Sequence, residues 1–435
     1  MNISPARIAA FEILTKIEKE KAFSSVLLPL YEEKLPPKDR ALCHALTLGT
    51  LRKQIYLDRL IEQLTNGKKL DTVIKIILRL GLFQLIYLDK VPAHAAINDS
   101  VNLVQKAKKT SAKSFVNAVL RRFTREAIEL NFADEAERVS VETSHPRWLI
   151  EKWIEQFGFL AAEQLAQENN KTPILAFRLT ARSNENTVET LKKLGLDISE
   201  SQIAANAWKV ANSGEMLQLY AAEGKIYFQE EASQLVAQSV RLKEGESFLD
   251  VCAAPGSKIT QIHNSKLTNR NLLIAGDFYE HRVKNLQANC RKQGVRKINV
   301  LRYDAENSLP FAEESFDVVL VDAPCSGTGT IKHNPEIRYF LRENDFSALA
   351  AKQLRILENA SKLVTRGGRL IYSTCSLEPE ENETVAERFL ASHGEFEKTA
   401  PEVLERFLTK ENYARTFPPT DQTDGFFIGV FEKKR

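Results

Sequence analysis

From about residue 240 to the C-terminal end, short apolar runs alternate with helical repeats. SFLDV, NLLIAGD, INVLRYD, FDVVLVDAPC, GGRLIYSTC and GFFIGVFEK are separated by segments such as YEHRVKNLQANCRKQG and DFSALAAKQLRILENASKLV. Runs that are almost continuously apolar mark strands covered on both faces, and their alternation with helices predicts a parallel, doubly wound α/β sheet. Such a sheet binds ligands beyond the carboxyl ends of its strands, where the strand order switches. Candidate chemistry is thereby confined to one edge.

At 435 residues the chain is too long for one core, because single cores stop growing near roughly 250 to 300 residues. Residues 1–128 read as an all-α bundle: apolar positions recur at three and four spacing in IAAFEILTKIEKE and RALCHALTLGTLRKQIYLDRLIEQL, with breaks at Pro36, Pro37 and Asn66-Gly67. Residues 129–235 read as a helical linker and a small α/β unit. It holds ILAFRLT, the helix NTVETLKKLG closed by Gly195, then AWKVAN and KIYFQ. Residues 236–435 form the sheet domain. Trp148, Trp153 and Trp208 are expected in cores rather than as platforms for bases.

The most apolar window, VIKIILRLGLFQLIYL at 73–88, carries Lys75 and Arg79 and is shorter than the roughly 20 apolar residues of a membrane span. It reads as a buried helix, and no membrane association is expected. MNISPARIAAFEIL lacks the pattern of a secretory signal. The five cysteines include no CxxC pair and are odd in number, which argues against a disulfide framework or a zinc site; no metal is expected, and a reducing cytoplasm is the expected compartment. A monomer is expected because no unexplained apolar face stands out. The net charge of +3 is unevenly spread: residues 1–128 hold 22 Lys and Arg against 12 Asp and Glu, an excess of +10, and the remainder carries −7. A whole-domain basic excess points to a polyanion.

Every chemically suggestive residue of the third domain falls at the strand ends. CAAPGSK follows the first strand, and its small residues allow backbone to approach a ligand before a helix begins. Val251 stands where a P-loop needs its first glycine, so a nucleotide triphosphate is not expected. Asp277 ends the second strand, where an acid bonds ribose hydroxyls in dinucleotide-type folds, and Asp304 ends the third. Any one such Asp is as readily a helix cap, but three successive acid-bearing strand ends point to an adenosine-containing ligand. The next strands deliver Asp322 with Cys325, and then Cys375. Cys43, Cys252 and Cys290 read as small hydrophobes. A strand-end thiolate suits nucleophilic chemistry instead, since adding sulfur to C6 of a cytosine makes C5 nucleophilic toward a methyl sulfonium. Asp322 is placed to hold the base at N3 and N4.

DVCAAPGSK, DAPCSGTGTIKHNPEIRY, GGRLIYSTCSLEPEEN and TDGFFIGVFEK resemble the motifs of the S-adenosylmethionine-dependent RNA cytosine-C5 methyltransferases, whose catalytic domain is Rossmann-like. LRLGLFQLIYLDKVPAHAAINDSV and SFVNAVLRR resemble the NusB-like RNA-binding domain. The pairing is similar to the bacterial small-subunit ribosomal RNA methyltransferases of the Sun, or RsmB, type. The resemblance implies that Cys252, Ala253, Ala254, Pro255, Gly256, Ser257 and Lys258, with Asp277, Asp304 and Asp322, hold S-adenosylmethionine. It implies that Cys375 is the nucleophile, that Cys325 aids product release and that Asp322 orients the base and stabilises the adduct. The implied substrate is one cytosine of 16S ribosomal RNA, of the position-967 class, in naked RNA or an early assembly particle. The family loop usually reads PGGKT, where this chain has Ser257 and Ile259, and PPTDQTDGFF lacks a histidine that related chains often carry. A transfer-RNA substrate and a non-catalytic RNA-binding assembly factor are the alternatives.

Overall fold

Ser4 starts the first helix, Pro5–Glu20: its hydroxyl accepts from the Arg7 N–H and Pro5 supplies a preset φ. The computed structural model describes residues 3–212, 214–264 and 271–435. It divides into two compact units, Met1–Thr172 with Ile331–Glu343, and Pro173–Thr330 with Asn344–Arg435.

The first unit is helical. Asp71 caps Thr72–Tyr87, the most apolar segment, by accepting from the Val73 N–H at 2.9 Å. Ile76, Ile77, Leu78, Leu80 and Leu82 of that helix are buried, each contributing on the order of 2 kcal/mol through apolar burial. Arg79 lies buried among them because Asp58 accepts two of its hydrogen bonds, at 2.7 and 2.8 Å, and Glu18 a third at 3.0 Å. Among the described residues no helix is long and apolar enough to cross a membrane. Trp153 is fully buried, as expected, and Trp148 half-buried.

The stretch Ile331–Glu343 interrupts the sequence of the second unit yet belongs to this helical unit. Its Glu336 carboxylate accepts from the Ser24 N–H at 2.6 Å and the Ser24 hydroxyl at 3.0 Å, at the start of the helix Ser24–Glu32. Arg338, fully buried, donates to the carbonyls of Thr143 and Ser144 and to Asn170 Oδ1. Burial lowers its pKa to about 10. DAPCSGTGTIKHNPEIRY therefore serves two places: its first half turns at the sheet edge, and its second half is a structural insert of the helical unit.

The second unit opens with a small antiparallel sheet of β1 (Leu175–Leu179), β2 (Ile198–Glu200), β3 (Ala207–Val210) and β4 (Ile226–Phe228), in the order β2-β3-β1-β4. ILAFRLT, AWKVAN and KIYFQ supply three of these strands; β2 and the helix Glu215–Ala222 are additions to the sequence reading. β2 is three residues long with one buried position, too short for alternation to be recognised. Trp208 sits half-buried on β3.

The large sheet contains β5 (Phe248–Asp250), β6 (Leu273–Asp277), β7 (Ile298–Arg302), β8 (Phe316–Asp322), β9 (Val364–Thr374), β10 (Phe396–Thr399), β11 (Ala414–Thr416) and β12 (Phe426–Lys433). Its order is β10-β12-β9-β8-β5-β6-β7, with β11 beside β12. Strands β5 to β9 are parallel, whereas β12 runs antiparallel to β9, and β10 and β11 antiparallel to β12. The expectation of an all-parallel sheet is corrected at this edge. GFFIGVFEK is buried on both faces like a parallel strand, and direction leaves no mark on such a pattern. Successive residues pack into opposite layers: Val318 and Leu320 on one face of β8, Val319 and Val321 on the other. The order switches between β5 and β8, so the loops after those strands open onto one crevice.

Candidate active site

The loop leaving β5 ends at Gly256, whose φ of +99° is left-handed, and a Cβ there would stand 2.5 Å from Leu286 Cδ1. Glycine is required at this position. Ser257 is already the first residue of the helix Ser257–His263, where a side chain costs little, and Ile259 is fully buried in the core. Neither departure from PGGKT stands in the left-handed turn itself. Ala254 N–H donates to Asp277 Oδ2 at 3.3 Å, and Arg282 donates to the Ala254 carbonyl at 2.8 Å while pairing with Asp277 at 3.3 Å. This set ties the loop to the end of β6.

A cavity of about 240 Å³ lies at the switch point. Of the residues singled out in the sequence, Cys252, Ala254, Asp277, Asp304, Asp322, Cys325 and Cys375 line it together. Ala253, Pro255, Gly256, Ser257 and Lys258 are not part of its wall. Asp304 lies two residues beyond the end of β7 and accepts from the Glu306 N–H at 3.0 Å and Asn307 Nδ2 at 2.9 Å, so it caps its own turn while facing the cavity. Cys43 and Cys290 are buried in cores. Cys252 does both things expected of it: it packs against the apolar core beside its strand and lines the cavity, and burial pushes its thiol pKa up.

Lys258 reaches away from the loop. Its ammonium is 2.6 Å from Asp322 Oδ2, while Asp322 Oδ1 accepts from the Ser373 hydroxyl at 2.8 Å. Burial disfavours the Lys258 charge, but the charge and hydrogen bond of Asp322 outweigh it and raise its pKa. The two thiols stand beyond this pair with their sulfurs 3.2 Å apart. Cys375 is half-buried and open to the cavity. The Cys325 thiol is held well above its ordinary pKa, first by its hydrogen bond with Cys375, then by burial and by the charges of Cys375 and Glu381.

Asp250, at the end of β5, escaped the sequence reading although the D of LDV marks it. Burial, then the charges of Asp322 and Asp277, push its carboxyl up to about 8, against the pull of Lys258. The unfolded carboxyl ionises near pH ~4, so between the two values the folded state holds an extra proton and stability falls as pH rises. Asp250→Asn should remove that slope. The variant should gain on the parent between pH 5 and pH 9, by at most about 5 kcal/mol at about 1.4 kcal/mol per unit of pKa. Parallel melting profiles for the two proteins across that range would refute the assignment.

The cavity joins strand-end carboxylates to an apolar wall of Phe278, Tyr303 and Ile356. Among the described residues the Tyr303 hydroxyl is buried without a hydrogen-bond partner. Hydroxyl-binding acids, an aromatic wall and a nearby carboxylate suit the ribose, purine and sulfonium of S-adenosylmethionine.

Comparison with known proteins agrees with the geometry. The family described as 16S rRNA methyltransferase RsmB/F matches residues 237–432, the NusB family matches 4–125, and the ferredoxin-like domain of RsmF/B-like methyltransferases matches 145–216. A protein of Bacillus subtilis named probable ribosomal RNA small subunit methyltransferase B is 33% identical over 448 residues, covering 100% of both chains. The chain belongs to the RsmB/F family of rRNA methyltransferases. A Pseudomonas putida relative, ribosomal RNA small subunit methyltransferase B, is 34% identical and covers 88% of each chain. The crystal structure of PH0851 superposes over 100% of both chains with a TM-score of 0.85 at 26% identity. A methyltransferase homologue from Pyrococcus horikoshii covers 69% of this chain and all of its own, with a TM-score of 0.58 at 25% identity. As a family member the protein is an S-adenosylmethionine-dependent enzyme with a NusB-like helical domain, a ferredoxin-like middle domain and a Rossmann-like methyltransferase domain.

Proposed function

We propose that the protein methylates C5 of one cytosine in 16S ribosomal RNA, of the position-967 class, through a covalent adduct between Cys375 and C6. The observation that carries this reading is the thiol pair, sulfurs 3.2 Å apart, opening into the same cavity as the strand-end acids. Bound S-adenosylmethionine supplies the methyl group. Asp277, Asp304 and Ala254, which line the cavity together, would hold its hydroxyl and amine groups. Asp322, steadied by Lys258 and Ser373, accepts hydrogen bonds from the base and stabilises charge as the adduct forms.

The Cys375 thiolate forms the S–C6 bond, which moves the ring's electron pair to C5. C5 then takes the methyl group, leaving S-adenosylhomocysteine. Loss of the C5 proton breaks the S–C6 bond and restores the Cys375 thiolate. Cys325, beside the same sulfur, assists this release. A base inside a stack cannot present C6 to a thiol, so the RNA must offer an extruded or looped-out nucleotide, and the basic helical domain supplies the attraction to phosphate. Bisulfite mapping of small-subunit rRNA, from cells with and without the gene, tests the reading. One cytosine should lose its protection when the gene is absent; an unchanged map would overturn the substrate assignment.

A further inference from the structure

Beneath the two thiols lies a buried carboxylate that the catalytic scheme leaves unused. Glu381 is 0% exposed. Its Oε1 accepts from the Ser326 N–H and from Gln353 Nε2, both at 2.9 Å, and its Oε2 accepts from the hydroxyls of Ser326 and Ser376, both at 2.5 Å. Ser326 follows Cys325 and Ser376 follows Cys375 in the chain. One side chain therefore grips both cysteine loops at the residue next to each sulfur. The two hydroxyls also meet at 3.1 Å, and the Gly329 N–H donates to the Cys375 carbonyl at 3.0 Å.

A buried carboxylate is costly unless fully hydrogen-bonded, and bonds to a charged acceptor are the strong ones. Four donors on two oxygens meet that need. Removing the carboxylate would take the acceptor from the Ser326 N–H and from Gln353 Nε2 in the interior and leave the two hydroxyls only each other and Thr328, which is the expensive way to break such a network. Cys325 resists ionisation first through its hydrogen bond with Cys375, then through burial and the charge of Cys375, and the Glu381 charge adds to these.

We propose that Glu381 is a positioning residue of the methyl-transfer site. It clamps the loops of Cys325 and Cys375 to each other, fixing the separation of the sulfurs and with it the thiol–thiol contact that leaves Cys375 to attack. The proposal rests on the reading of Cys375 as nucleophile. Its test separates the two, because thiol reactivity is measured on the protein without RNA.

The decisive variant is Glu381→Gln, which keeps the size of the side chain and one carbonyl acceptor but loses the charge. Binding of S-adenosylhomocysteine, followed by calorimetry, serves as the check that the fold and cofactor cavity survive. Alkylation of each cysteine by iodoacetamide across pH, read by mass spectrometry, should show the Cys325 profile moving to lower pH in the variant. Single-turnover methyl transfer to rRNA should slow at least about tenfold with RNA affinity unchanged, since small misplacements of reacting groups are costly. Ser326→Ala and Ser376→Ala provide an independent arm. Because their hydroxyls already meet at 3.1 Å, the cycle is run in both backgrounds: if Glu381 bridges the loops, the coupling of the two serines falls in Glu381→Gln. An unshifted Cys325 profile, or serine coupling unchanged in Glu381→Gln, would overturn the clamp. Absence of 5-methylcytosine from the RNA would instead overturn the catalytic reading and leave the alkylation result standing.

Discussion

Replacing Cys375 by alanine is expected to reduce methyl transfer to rRNA by at least about 10 000-fold, the scale seen when a covalent nucleophile is removed, with cofactor affinity retained. Two observations separate the effects. The groups proposed to hold the cofactor, Ala254, Asp277 and Asp304, are fixed by bonds that do not involve Cys375: Asp277 to Ala254 and Arg282, Asp304 to its own turn. The thiol itself is half-buried with little to support, so deleting one sulfur atom leaves the loop anchored through the Gly329 N–H to the Cys375 carbonyl and through Ser376 to Glu381. What disappears is the atom proposed to make the bond to C6, and the remaining thiol, Cys325, resists ionisation in the resting site. Cys375→Ser keeps the shape but exchanges a thiol for a hydroxyl that scarcely ionises, so it should be as inactive as the alanine variant. Tritium transfer from labelled S-adenosylmethionine onto protein-free rRNA reads the rate, and calorimetry with S-adenosylhomocysteine reads the affinity. Turnover near that of the parent would remove Cys375 from the mechanism.

The parts that were legible and those that were not differ in kind. Periodicity marks the helices before residue 128 and most strands of the catalytic sheet because each is a local pattern, and the switch-point rule puts Asp277, Asp322, Cys325 and Cys375 at one edge; that the helical unit runs on to Thr172 is a matter of packing that periodicity does not carry. The direction of β12 was invisible, since both faces of that strand are buried whichever way it runs. Ile331–Glu343 was invisible for another reason. KHNPEIRY carries charges that look like surface or site residues, but Glu336 and Arg338 are buried by partners such as Ser24, Thr143 and Asn170, more than a hundred residues away in the sequence. Glu381 was read only as one acid in LEPEEN; its meaning depends on Ser326 and Gln353, which the fold alone brings to it. Asp250 could have been noticed, because an acid inside a strand with no polar neighbour in sequence must either be neutral or serve a site. Spacing could never say which of Cys325 and Cys375 attacks, because both end parallel strands at the same edge; the resemblance to the RNA methyltransferases made that distinction.

Cys325→Ala should therefore behave oppositely to Cys375→Ala: the first half-reaction proceeds and the enzyme remains joined to its RNA. In the resting site Cys325 resists ionisation chiefly because it shares a hydrogen bond with Cys375, and secondly because it is buried. Once the Cys375 sulfur is bonded to C6 it is a neutral thioether, and both its hydrogen bond and its charge no longer weigh on Cys325. The thiol that was held neutral during attack becomes easier to ionise when a base is needed for the C5 proton. With sulfurs 3.2 Å apart, and C5 bonded directly to C6, Cys325 stands within reach of that proton. The alanine variant loses this base, so release should fall by about 100-fold or more, within the usual contribution of a positioned acid or base. A slow-migrating protein–RNA band, resistant to denaturant and absent from the Cys325→Ala/Cys375→Ala double variant, is the expected result. A band formed by Cys375→Ala and missing from Cys325→Ala would exchange the two roles, making the cysteine after β8 the attacker and the one after β9 the base.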